Sequence, residues 1–240
     1  MRAHRVDHLL MGGQACVLYG AAEFSRDIDL AILPDPDNFD RLRGALTDLD
    51  AEVIAVPPFR SEHLEEGLAV HFRCRHPEAR GLRIDVMTRL RGVEPFPRLW
   101  ARRTSFEFED GTLDVLSLPD LVASKKTQRD KDWPMVRRLV DVNYLTHREE
   151  PTPERVVFWL RELRSPELVI EAVQAHPAAV AGARRERPLL DLASPQHLER
   201  GGLARALREE EDAVRREDEA YWRPLRGQLE RLRRERSRRE

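Results

Sequence analysis

The stretch MGGQACVLYGAAEFSRDIDLAIL, residues 11–33, constrains the fold more than any other part of the chain. Leu30 to Leu33 is continuously apolar and fits a central strand covered on both faces. Asp27 and Asp29 lie directly before that run and within the same strand pattern. Side chains two apart on a strand share a face. The two carboxylates therefore project together, while Ile28 and Leu30 turn to the other side. A strand that ended at the acids, with a carboxylate capping the next turn, is the plainer reading. The apolar residues that follow argue against it.

Two carboxylates held close repel one another unless a positive charge lies between them. A hard divalent cation, Mg²⁺ or Mn²⁺, takes oxygen ligands and keeps waters and substrate phosphates in its shell. Asp85 in GLRIDVM has the same setting as the first two acids: Ile84 and Val86 flank it, so it faces away from them. If the two strands are neighbours, three carboxylates converge, as they must to hold two divalent metals across a transferring phosphate. A salt bridge from Asp85 to Arg83 is the structural alternative. Gly12 and Gly13 allow positive φ and close approach of backbone to a phosphate, or they simply stop a helix. Ser25 and Arg26 offer a hydroxyl and a cation beside the acids.

These residues carry a resemblance. Met11-Gly12-Gly13, thirteen residues (14–26), then Asp27-Ile28-Asp29-Leu30 resembles the signature of the nucleotidyltransferase superfamily, the DNA polymerase beta-like group. Asp85 fits that family's third acid. The resemblance covers about residues 8–140. Within the family the chain is most similar to the minimal nucleotidyltransferases, including toxins of abortive-infection systems, and SKKTQRDKDW (124–133) resembles their lysine helix and basic-Lys-Asp element. Glu23 and Met135 depart from the pattern of close relatives.

The resemblance implies an α/β (α+β) fold with a mixed sheet flanked by helices. It implies Mg²⁺-dependent transfer of NMP from an NTP to a hydroxyl acceptor. Asp27, Asp29 and Asp85 would be the catalytic and metal-binding acids. Gly12, Gly13, Ser25, Arg26, Lys125, Lys126, Arg129 and Lys131 would bind the nucleotide. The acceptor would be a tRNA or other RNA 3′ end, a protein or a small molecule, and an antitoxin or defence-system protein is a candidate partner. A non-catalytic nucleotide- or partner-binding regulator on the same fold remains open, as does a metal-dependent phosphohydrolase.

The remaining pattern organises the chain as an α/β domain at 1–147 and a helical region with a basic tail at 148–240. Val6 to Tyr19 reads as a helix and turn. A helix follows in DPDNFDRLRGALTDLD with Asp37 as its cap, then strands at AEVIAV, LAVHFRCR and GLRIDVM. TSFEFEDGTLDVL reads as a hairpin turning at Asp110-Gly111. Pro119 and Pro134 suit the first turns of two helices. Lys125 continues the apolar stripe of Leu118, Leu121 and Val122, so it emerges where a cation needs a partner.

His63, His71 and His76 read as scattered surface or core residues, and Trp100, Trp133, Trp159 and Trp222 as packing residues. From Arg223 onward eight arginines face three glutamates, either a solvated helix or a nucleic-acid contact with salt-sensitive binding. The net charge of −2 does not by itself point to nucleic acid or a membrane surface. Cys16 and Cys74 lack metal or disulfide spacing. No signal-peptide pattern or 18-residue apolar run is present, so a cytoplasmic protein without a membrane partner is expected.

Overall fold

The computed structural model describes residues 1–198 and 200–238. The chain divides into two compact units, residues 1–124 with 220 onward, and residues 125–219.

The first unit is built on a seven-stranded mixed sheet. Its strands are β1 (His8–Met11), β2 (Asp27–Ile32), β3 (Ala51–Val53), β4 (Val70–Cys74), β5 (Arg83–Met87), β6 (Thr104–Phe108) and β7 (Gly111–Val115). The order across the sheet is β3-β4-β5-β2-β1-β7-β6. β2 pairs in parallel with β5 and antiparallel with β1, and β1 pairs in parallel with β7. Parallel neighbours need a crossover, and β2 reaches β5 through α2 (Pro36–Asp48), β3, α3 (Ser61–Glu65) and β4. α1 (Gly12–Leu18), α4 (Phe96–Ala101) and α5 (Leu118–Lys125) complete the helices of this part of the chain. The sequence thus predicts the architecture correctly: a mixed sheet with helices, followed by a helical C-terminal region.

β2 is the hinge of the design. Leu30, Ala31 and Ile32 are buried, whereas Asp27, Ile28 and Asp29 are half-buried. One strand therefore supplies core at its C-terminal end and a polar face at its start. Leu9 on β1 and Ile84 and Val86 on β5 are buried in the two neighbouring strands, as are Val70 and Phe72 on β4 and Val115 on β7 further out. Cys16 and Cys74 are free and buried.

Three local expectations are corrected. His8–Met11 is a strand, not part of a helix, because it has ladder partners on both sides in β2 and β7. The cap of α2 is Asp35, which accepts from the Asn38 N–H, and Asp37 lies inside the first turn. The β6–β7 turn is Glu109-Asp110, since Phe108 and Gly111 already pair across the ladder.

The second unit is helical: α6 (Trp133–His147), α7 (Pro153–Glu162), α8 (Pro166–Ala175), α9 (Pro177–Ala183) and α10 (Arg200–Ser237), whose residues up to 219 belong here. Prolines stand in the first turns of α6 to α9, where the missing N–H costs nothing. Trp159 is fully buried, stacks edge-on against Tyr144 with centroids 5.0 Å apart, and donates its Nε1–H to Asn143 at 2.8 Å.

Arg187 ties this unit together. Its buried guanidinium donates to the carbonyls of Leu160 (3.0 Å) and Leu163 (2.8 Å) and to both carboxylate oxygens of Glu210 (3.0 and 2.8 Å). Arg187→Ala would strand two carbonyls and leave the Glu210 carboxylate to Arg164 alone, so a loss of about 3–5 kcal/mol in denaturant unfolding is expected. Burial pushes the Glu210 carboxyl up, but the Arg187 hydrogen bond and the nearby cations outweigh it and hold the carboxyl below its ordinary value. A carboxyl lowered in the folded state stabilises the fold above its unfolded pKa. That contribution fades as acid passes through the folded value. Acid unfolding of Glu210→Gln is therefore expected to be shallower than that of the parent chain.

In the basic segment, the arginines from Arg223 to Arg238 are exposed. Arg239 and Glu240 lie outside the described residues. No helix among the described residues is long and apolar enough to cross a membrane.

Candidate functional site

The site grows from strand register. Asp29 is paired directly with Asp85 across the parallel β2–β5 ladder. Directly paired residues present their side chains on one face, and Asp27 lies two residues along that same face. The three sequence-predicted acids therefore share one face of two adjacent central strands. The same cross-strand row extends to Met11 on β1 and to His71 on β4. The next row on that face reads Asp27, Arg83, Arg73.

β1 ends opposite Asp29, through the pair Met11–Asp29. The chain must turn immediately over the Asp29 side chain, and this is what the glycines allow. Gly12 has φ +69°, and a Cβ there would lie 1.8 Å from Asp29 Oδ2. A Cβ on Gly13 would lie 2.3 Å from Ser25 Oγ. The Gly13 N–H points to Asp29 Oδ2 at 3.4 Å. Gln14 donates to the Ser25 carbonyl at 2.8 Å, fixing the loop before β2 to the start of α1. Gly12, Gly13, Ser25, Asp27 and Asp29 thus form one constellation. Glu23 and Arg26 are exposed in that loop, as is Phe24 at 71%.

Asp85 is engaged from two sides. Arg83 donates Nε to its Oδ1 at 2.9 Å and Nη2 to its Oδ2 at 3.0 Å. His71 Nδ1 lies 2.8 Å from Oδ1. Arg83 Nη2 also lies 3.2 Å from that nitrogen. An ionised carboxylate only accepts, so the Asp85 contact is a hydrogen bond when Nδ1 carries the proton, whereas the Arg83 contact is one when Nδ1 is bare. Burial acts to raise the Asp85 carboxyl, but hydrogen bonds from His71 and Arg83 hold it below its ordinary value. Arg83 is raised, first by its hydrogen bond to Asp85, with Asp27 and Asp29 contributing through charge. The salt-bridge alternative for Asp85 therefore holds together with its shared face. His71, read from sequence as a scattered histidine, is a neighbour of the acid row. Its signal is visible only once β4 is registered against β5.

The donor set is what a hard divalent cation takes: carboxylate oxygens on adjacent strands. Among the described residues, no three His, Cys, Asp or Glu side chains are gathered closely enough to hold a metal ion. The carboxylates fit Mg²⁺ in kind and in shared face, with Arg83 supplying the positive charge beside them.

The predicted cations of SKKTQRDKDW, Lys125, Lys126, Arg129 and Lys131, belong to the second unit. Lys125 Nζ lies 3.8 Å from Asp132, and Arg129 Nε donates to the same carboxylate at 2.7 Å. Asp132 also accepts from Thr127 at 2.6 Å. Lys126 is ion-paired with Glu162, and burial pulls its ammonium down despite that partner. Lys131 is exposed.

The sequence matches no protein-family model and no curated protein. Among solved structures, the chain is similar to an antigenic nucleotidyltransferase-like protein from Paracoccidioides brasiliensis. Identity is 19%, the match covers 80% of this chain and 85% of that one, and the TM-score is 0.38.

Proposed function

We propose that the chain is a metal-dependent nucleotidyltransferase that moves an NMP group from an NTP to a hydroxyl acceptor and releases pyrophosphate. The observation that carries this reading is the Asp29–Asp85 register pair with Asp27 on the same face, closed over by Gly12 and Gly13. A structural strand has no use for three carboxylates on one face. At the roughly 5 Å of a directly opposed pair and an effective dielectric near 20, the Asp29–Asp85 repulsion alone costs roughly 3 kcal/mol. Divalent metal, when bound, would neutralise the phosphates and polarise the attacked phosphorus. Asp27 and Asp29 would hold it from β2, and Asp85 would complete the set nearer the acceptor. Gly12, Gly13 and Ser25 present backbone and a hydroxyl toward a triphosphate, with Arg26 beside them.

The proposed acceptor is a tRNA or other RNA 3′ end, a protein hydroxyl or a small molecule. A place among toxin or defence systems, with an antitoxin partner, belongs to the same proposal. NTPs labelled at the α-phosphate, offered with total RNA, protein extract and small hydroxyl acceptors, separate these classes by where the label appears.

One observation favours a second reading: Asp85 is already satisfied by Arg83 and His71. A non-catalytic nucleotide- or partner-binding regulator would keep such a closed acid. Calorimetry with Mg²⁺ and each NTP separates the two. Binding without label transfer to any acceptor is the regulator's result.

A further inference from the structure

We infer that Arg83 is a built-in counter-cation for the acid row, and that it sets how tightly the site takes a divalent metal. The inference rests on the metal-binding part of the reading above. Arg83 stands two residues before Asp85 on the same strand, so both side chains leave the same face. Its guanidinium makes a two-point contact with Asp85, the geometry in which arginine binds carboxylates most firmly. It is also the register partner of Asp27, and both Asp27 and Asp29 contribute to its electrostatic environment. One cation thus serves three carboxylates. It supplies beside those acids a positive charge of the kind that a bound metal ion would supply.

The consequence has a definite sign. A divalent ion that recruits Asp85 must displace Arg83 or share the carboxylate with it. The Arg83 side chain is 38% exposed, so it has room to swing aside. A released guanidinium is also suited to phosphate oxygens, which would link metal entry to the arrival of a triphosphate. Without nucleotide, Arg83 opposes the metal. An arginine with a merely structural role predicts the reverse, because its loss would loosen Asp85 and weaken the site.

The test uses Mn²⁺ as the probe, with nucleotide absent. Free Mn²⁺ is counted by its electron paramagnetic resonance signal during titration of the full chain. Arg83→Met and Arg83→Gln are each expected to bind Mn²⁺ about tenfold more tightly than the parent, as loss of one repelling charge near a divalent ion requires. Adding Asp27→Asn to either variant should remove the gain. Unchanged or weaker Mn²⁺ binding in both variants overturns the inference. So does loss of the folded circular dichroism spectrum in both, which would make Arg83 structural. Mn²⁺ binding that is indifferent to Asp27 in every variant removes the metal site itself. Tighter binding in the Arg83 variants without NMP transfer to any acceptor keeps the inference and sinks the enzyme reading.

Discussion

Asp27→Ala combined with Asp29→Ala is expected to abolish nucleotidyl transfer and leave the fold standing. The two residues open β2, and the strand's burial comes from Leu30, Ala31 and Ile32 beyond them. Their removal takes two half-buried negative charges from beside Asp85. The melting temperature should therefore hold or rise by a few degrees, the usual sign of charges kept for function rather than stability. Transfer should fall by about a thousandfold or more, since neutralisation of the phosphates is worth several kcal/mol in the transition state. Thermal denaturation followed by circular dichroism, beside label transfer under matched conditions, reads both quantities. A double variant that unfolds would instead make the acids structural.

Gly12→Ala is expected to have the second largest effect, and it should damage both stability and activity. Gly12 has φ +69°, where an L-residue costs about 1–2 kcal/mol. The added methyl would fall 1.8 Å from Asp29 Oδ2, a distance no rotamer of alanine can relieve. Either Asp29 swings away or the turn after β1 opens. A carboxylate displaced by about 1 Å costs on the order of a hundredfold in rate. Urea unfolding and kcat for label transfer, measured on one preparation, give the two losses. A variant with full activity would show that Asp29 has no need of its present position.

The shared face of Asp27 and Asp29 is legible from sequence because it needs only the two-residue strand period. That of Asp85 is legible for the same reason, from its apolar flanks. The contact between them is not, because β2 and β5 are separated by α2, β3, α3 and β4, and only the strand order makes them neighbours. β1 fails for a different reason. His8-Leu9-Leu10-Met11 is composed largely of residues at ease in helices, and its strand state is imposed by ladders on both sides. The Asp35 cap was within reach: Pro36 favours the first helical position, so the residue before it is the cap. His71 was not within reach, since nothing in HFRCR marks which residue will stand opposite Asp85. For Lys125, helical spacing signals that a partner is needed; Lys126 lies one position round the helix. The partners found are Asp132 and Glu162, and the spacing could name neither.

The central claim is that the acid face transfers a nucleotidyl group, and the position of the label decides it. The full chain with Mg²⁺ is given one NTP labelled at the α-phosphate and, separately, the same NTP labelled at the γ-phosphate. The account predicts that α-label becomes attached to an acceptor and that γ-label leaves only as pyrophosphate, both depending on Asp27 and Asp29. Release of γ-label as free phosphate, with no α-label on any acceptor, would contradict it and point to a phosphohydrolase.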